Sequence, residues 1–344
     1  MKKVISLLLA ALLVFGCTAC GGSSGGSSSG ASSSGGSGDS GNSGEKISLK
    51  ISQTNPETYV IGRSCQHWAD LVSEATDGRI EIVPYHSGTL GDERETAEAC
   101  QAGNLDFAVV NTAVLENFIP DYGVFSLPYT FTGYEHADKV FLGDIGADML
   151  SKLDDVGLVG LSFWESGFRE LTNSKRPVNS LEDVKGLRIR VMENQLHQEL
   201  WNSLGADAVP MSWSDAYTAL QQGAIDGQEN AAITIESNAV QEINQYLAIT
   251  DHIYGTCIVV ASPKVWNSLS AEDQQILLDC MKETNTWERD EARSDADASI
   301  ARMQESAGLE VSYPDKQEFI DATAGIRESY TQFADVLAQI EAVS

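Results

Sequence analysis

Most of this chain is predicted to adopt an α/β fold, on three observations. Between Ile47 and Val110, short apolar strands alternate with helical stretches that end on glycine. Between Leu181 and Asn230 the same rhythm returns in one compact unit. From Ser270 to about Ser306 neither proline nor glycine interrupts the chain, as one very long charged helix requires. Strand–helix–strand repeats build parallel sheets, and ligands in such sheets gather at strand ends.

The chain opens on Met1-Lys2-Lys3 and the apolar run Val4 to Phe15. That run is too short to span a bilayer and fits a secretory signal. Gly16-Cys17-Thr18-Ala19-Cys20 follows. A small residue before cysteine at this point fits lipid attachment at Cys17, with Cys20 as the alternative. Residues 21–45 are almost wholly Gly and Ser, a flexible tether with an r.m.s. reach of ~27 Å. The expectation is an extracytoplasmic domain, lipid-anchored to the outer face of the cytoplasmic membrane, in a host expected to be Gram-positive.

The remainder, from about Lys46 to Ser344, is long enough for a large core and too long for one typical domain. Acidic residues number 50 against 22 basic ones, a net charge of −28. That balance excludes nucleic acid as a partner, because phosphate contact needs a basic face. An anionic ligand must be held by local arginines, against a far field that salt screens over about 8 Å. Cys65, Cys100, Cys257 and Cys280 show no C-x-x-C spacing, which argues against zinc. They are expected to be free buried thiols, with a disulfide as the alternative. His67, His86, His136, His197 and His252 lie at no metal-ligand spacing, and the folded part lacks G-x-S-x-G, H-E-x-x-H and the P-loop. No enzyme, metal or cofactor is expected; a glycosidase carboxylate pair is the remaining enzymatic alternative.

In order, Ile47 to Ile51 is a short alternating strand leading to the polar turn Gln53-Thr54-Asn55-Pro56. A helix from about Tyr59 to Thr76 stops at Asp77-Gly78, and Arg79 to Tyr85 is the next strand. His86 to Gly91 is a glycine-bearing loop before a helix that runs from Asp92-Glu93 to about Ala102. Leu105 to Val110 is an apolar strand of the buried parallel kind. Pro128 makes Leu127 extended. Gly157 to Trp164 is a further apolar strand, continued by Glu165 to Arg169. After the helix-start signal at Asn179-Ser180, Leu187 to Val191 alternates, with Leu187, Ile189 and Val191 on one face and Arg188 and Arg190 on the other. Helices from Gln195 to Leu204 and from about Ser214 to Gln222 stop at glycines. The chain then turns through Asp226-Gly227 into Gln228-Glu229-Asn230. Ile253 to Ala261 is another apolar strand, and Ser270 with Glu272 and Asp273 starts the long helix.

Gly186 to Val191, Pro210 to Gln221 and Ile225 to Asn230 form three linked motifs, preceded by Thr89 to Arg94, Gly103 to Phe107 and Phe125 to Tyr129. Together they resemble the solute-binding proteins of tripartite ATP-independent periplasmic (TRAP) transporters, the DctP family, across essentially the whole folded part. The resemblance implies a two-lobed, periplasmic-binding-protein-like α/β fold, with hinge strands crossing between the lobes and one long helix spanning both. Residues 46–167 and 256–295 are expected in lobe I, and 168–255 with 296–344 in lobe II. The implied partners are a small carboxylate ligand and the membrane permease subunits, with the chain itself a monomer. The family usually has proline after the last motif, where Ala231 stands here.

Arginine is the residue for such a ligand, because its fork matches the two carboxylate oxygens. Arg190 is the expected clamp and Arg169 assists or orients it, while Arg188 is expected at the surface. Trp213 offers a flat apolar wall, and Asn230 offers donors and an acceptor. Gln53, Glu93 and Asn111 stand where the family turns polar side chains toward the ligand. A sugar acid such as a hexuronate is the first expectation. A C4-dicarboxylate would want a second cation, which Gln53, Glu93 and Asn111 do not supply. Other monocarboxylates, and a ligand-sensing receptor for a two-component system, are the alternatives.

Overall fold

The computed structural model describes residues 46–343. The expected signal, Cys17, Cys20 and the Gly/Ser tether lie outside the described residues. The first α/β run comprises β1 (Ile47–Ser52), α1 (Val60–Ala75), β2 (Ile80–Tyr85), α2 (Glu93–Gln101) and β3 (Phe107–Asn111). After α3 (Thr112–Leu115), α4 (Tyr134–Phe141) and α5 (Asp144–Ser151) comes β4 (Val159–Asn173). The second run comprises β5 (Arg188–Val191), α6 (Gln195–Ser203), β6 (Asp207–Pro210), α7 (Trp213–Gln221) and β7 (Gly227–Ala231). There follow α8 (Ala232–Ser237), β8 (Tyr246–Ala248), β9 (Tyr254–Ala261) and α9 (Pro263–Trp266). The chain closes with α10 (Ala271–Ala307), β10 (Glu310–Ser312), α11 (Lys316–Ser329) and α12 (Ala334–Ala342).

The strands are ordered β2-β1-β3-β9-β4-β7-β5-β6, with β8 and β10 beside β4. β1 pairs in parallel with β2 and β3, and β5 with β6 and β7, so helices must carry the crossovers. Every residue of β3 is buried. It is parallel on one edge only, because β9 covers the other edge in antiparallel register.

β4 joins the two halves. From Val159 to Phe168 it pairs with β9, and from Arg169 onward with β7. A bulge between Glu165 and Gly167 comes just before the change, and Gly167 takes φ +97°, which a side chain would resist. Arg169 is therefore the first residue of the second sheet.

α10 has 37 residues and is about 55 Å long at the helical rise. Ser270 Oγ caps it by accepting from Asp273 N at 3.1 Å, and Gly308 ends it in left-handed geometry. It packs on α1 and β4, and further along on α8. Its centre buries Glu288 and Arg289, which its apolar pattern does not announce. Arg289 and Arg293 pair there with Asp138 of α4 and Glu165 of β4. α11 packs on α6, whereas α12 returns to α5.

Cys65, Cys100, Cys257 and Cys280 are free and buried. Among the described residues, no helix is long and apolar enough to cross a membrane.

Candidate functional site

A cleft of about 600 Å³, counted to its open mouth, lies where β4 passes between the sheets. The turn after β1, the start of α2 and the end of β3 form one side. The ends of β5 and β7, with the turn into α7, form the other. Arg190, Arg169, Trp213, Asn230, Asn111 and Glu93 all line it. Six residues scattered over much of the chain therefore meet at strand ends, as open α/β sheets arrange. Gln53 stands apart. Its amide bonds Asn55 within its own turn and His86 in the loop after β2, and it is not part of the wall.

Arg190 is 3 % exposed. Its Nε and Nη2 both donate to Met211 O, at 2.9 and 2.7 Å. Of five N–H donors two are committed on one edge, leaving the Nη1–Nη2 edge without an acceptor among the described residues. Burial pulls Arg190 down to about 10, against the pull of Glu229, and it stays a cation at neutral pH. The Trp213 ring lies 5.4 Å from its guanidinium, a cation–π distance. Arg188, two residues earlier on the same face of β5, is exposed and pairs with Asp207.

Arg169 is 2 % exposed and largely spent inside the protein. Its Nε and Nη2 grip the Glu229 carboxylate, Nη2 also donates to Glu229 O, and Nη1 donates to Asn230 Oδ1 at 3.1 Å. Burial alone would raise the Glu229 carboxyl, but Arg169, with His197 and His252, holds it well below the usual range. Burial in turn lowers His197 and His252, so both are neutral at pH 7. His252 Nε2 lies 3.0 Å from Glu229. This network fixes Arg169 and, through it, Asn230, while leaving one Nη1 hydrogen without an acceptor among the described residues.

Glu93 Oε2 accepts from Asn111 N at 2.9 Å, and burial raises its carboxyl despite that bond and Arg190 nearby. Asn111 Oδ1 caps α3 by accepting from Ala113 N at 3.0 Å. Arg94, which follows Glu93, also lines the cleft, and no acceptor among the described residues pairs with its guanidinium.

Sequence reasoning passed over Glu229, His197, His252 and Arg94 as site residues. Glu229 and Arg94 sit inside the motifs named above, which therefore carry a buried acceptor for Arg169 and one further cation. The two histidines carry no local signal. Among the described residues, no group of three His, Cys, Asp or Glu side chains is placed to hold a metal ion.

Comparison with known proteins points the same way. The family described as "Bacterial extracellular solute-binding protein, family 7" matches residues 51–333. The C4-dicarboxylate-binding protein DctB of Bacillus subtilis is 29% identical, with 83% of each chain covered. The sugar acid binding protein DctPAm of Advenella mimigardefordensis, solved with galactonate, superposes with a TM-score of 0.85 at 28% identity, covering 87% of this chain and 99% of that one. A TRAP periplasmic solute-binding protein of Polaromonas sp. JS666, bound to D-erythronate, gives a TM-score of 0.84 at 33% identity, with 87% and 99% covered.

Proposed function

The chain belongs to the bacterial extracellular solute-binding proteins of family 7, the DctP family, and we propose that it captures a polyhydroxylated monocarboxylate for delivery to a TRAP permease. Members of the family bind small carboxylates and work with membrane permease subunits. The observation that carries the ligand reading is Arg190, buried in the cleft lining, with its Nε–Nη2 edge bound to Met211 and its Nη1–Nη2 edge without an acceptor among the described residues. A ligand carboxylate takes that edge in two parallel bonds. Trp213 faces the carbon skeleton, while Asn230, Asn111 and the last Arg169 hydrogen meet its other oxygens. Glu93 accepts from hydroxyls and repels a second carboxylate, which favours a sugar acid such as a hexuronate. The role is binding, not catalysis.

We assign residues 46–167 and 256–295 to lobe I, and 168–255 with 296–344 to lobe II, closing by a hinge. Support comes from β4, which changes partner between Phe168 and Arg169. The same proposal includes lipid anchoring through Cys17, a Gram-positive host and a monomeric chain.

Arg94 favours a second reading. A cation in the cleft, on the lobe facing Arg190, would suit the far carboxylate of a C4-dicarboxylate.

A thermal-shift series with D-glucuronate, D-galactonate, succinate and D-glucose tests both. A ligand at a hundred times its Kd adds about 2.7 kcal/mol, a rise of a few degrees. Stabilisation by the two sugar acids and not by D-glucose supports the proposal. Stabilisation by succinate alone moves the assignment to dicarboxylates, and no response to any acid overturns the clamp.

A further inference from the structure

Asn238 lies just outside the cleft, at the C-terminal end of α8, and forms no part of its wall. Its amide nevertheless joins both sides. Trp213 Nε1 donates to Asn238 Oδ1 at 3.3 Å. Asn238 Nδ2 donates to Thr234 O at 2.9 Å and to Asn55 Oδ1 at 3.1 Å, with Ser237 Oγ at 3.3 Å. Chemistry dictates this orientation: an indole N–H can only donate and a backbone carbonyl can only accept. Oδ1 must therefore face Trp213, and Nδ2 must face Thr234 and Asn55.

Asn55 belongs to the turn after β1, on the opposite side of the cleft from Trp213. Gln53 holds it there. Asn55 N donates to Gln53 Oε1 at 2.6 Å, and Asn55 O accepts from Gln53 Nε2 at 2.5 Å and from Ser87 N at 2.9 Å. A line of contacts thus runs from Gln53 through Asn55, Asn238 and Trp213 to Arg190.

We propose that Asn238 is a positioning residue that couples the approach of the two lobes to the placing of Trp213 over Arg190. The inference rests on the reading of Arg190 and Trp213 as the ligand's holders. The Asn55–Asn238 bond spans the cleft and exists only when the lobes meet. The Trp213–Asn238 bond lies within one lobe and survives opening. With its only donor committed, Trp213 offers the ligand its ring face and nothing else.

The test compares Asn238→Ala, Asn55→Ala and the double variant, with D-glucuronate as the calorimetric probe. Emission of Trp213 in the ligand-free protein, taken as the difference from Trp213→Phe, is the second readout. Each single variant should weaken binding by about fivefold, the size of one net hydrogen bond. The double variant should be no weaker than Asn238→Ala, because both break one link. Asn238→Ala alone should shift Trp213 emission, since Asn55 does not touch the ring.

Affinity within twofold of wild type in both single variants, or losses that multiply in the double, would overturn the coupling. If Asn238→Ala folds poorly, Asn55→Ala carries the affinity arm. If wild type does not bind D-glucuronate, the ligand reading fails separately. The emission arm then decides for Asn238, and an unshifted spectrum overturns it.

Discussion

Arg190 and Glu93 bring opposite charges to one cleft, and each implies a distinct outcome on substitution. Arg190→Ala strips one partner from a buried charge pair and should cost about 2–5 kcal/mol of ligand affinity, read by calorimetry. Wild-type-like affinity in that variant sinks the clamp. Glu93→Gln keeps the shape and the bond from Asn111 N while removing the charge. Hydrogen bonds to a charged acceptor outweigh those to a neutral one by about 1 kcal/mol, so D-glucuronate should weaken by that amount and succinate should bind better. A gain for D-glucuronate would show that Glu93 does not accept its hydroxyls. At this scale Arg190 was legible, because strand alternation separates it from apolar neighbours and the motif marks it. The Glu229–His197–His252 network was not. Its members lie on β7, on α6 and in the segment before β9, and only folding brings them to Arg169.

At the scale of elements, β4 and α10 decide the arrangement. Gly167 sits at the bulge just before β4 leaves the first sheet, and φ +97° there should make Gly167→Ala cost about 1–3 kcal/mol of stability. An unchanged denaturant midpoint would remove strain from the account. Where α10 crosses β4, Glu288 Oε2 accepts from Glu165 N at 3.0 Å, and burial pushes its carboxyl up to about 8. The folded chain therefore keeps a proton that the unfolded chain releases near 4.5. Folding takes up a proton between those values, so this group's contribution to stability is present below about 4.5 and lost as pH rises toward 8. Glu288→Gln should flatten that fall in thermal midpoint, and an identical slope would reject the assignment. The length of α10 was legible from the missing glycine and proline. The ion cluster at its centre was not, because buried Arg289 and Glu288 look like solvated charges until Glu165 and Asp138 arrive.

At the scale of the whole molecule, the net charge of −28 sets the solution behaviour. Self-repulsion destabilises a compact acidic chain, and salt screens it. The melting temperature of the ligand-free protein should rise from low to physiological salt. A fall would mean that attractive pairs such as Arg302 with Glu236 and Asp295 outweigh the repulsion. The same field opposes capture of an anion, so Arg94, Arg169 and Arg190 in the cleft must act locally, within the screening length.

The sequence by itself determined the α/β class, the family, the long helix and the arginine that faces the cleft. Each of these is written in local order: strand alternation, glycine stops, uninterrupted helix formers and linked motifs. Tertiary structure alone decided that Gln53 braces Asn55 instead of lining the cleft, and that Arg169 is spent on Glu229. It also brought Arg94 into the wall and joined Asn238 to Asn55 and Trp213 on the two sides of the cleft. These are choices of hydrogen-bond partner among residues far apart in the chain. A buried polar group must find its partner, and the chain's order does not say which one folding will bring within 3 Å.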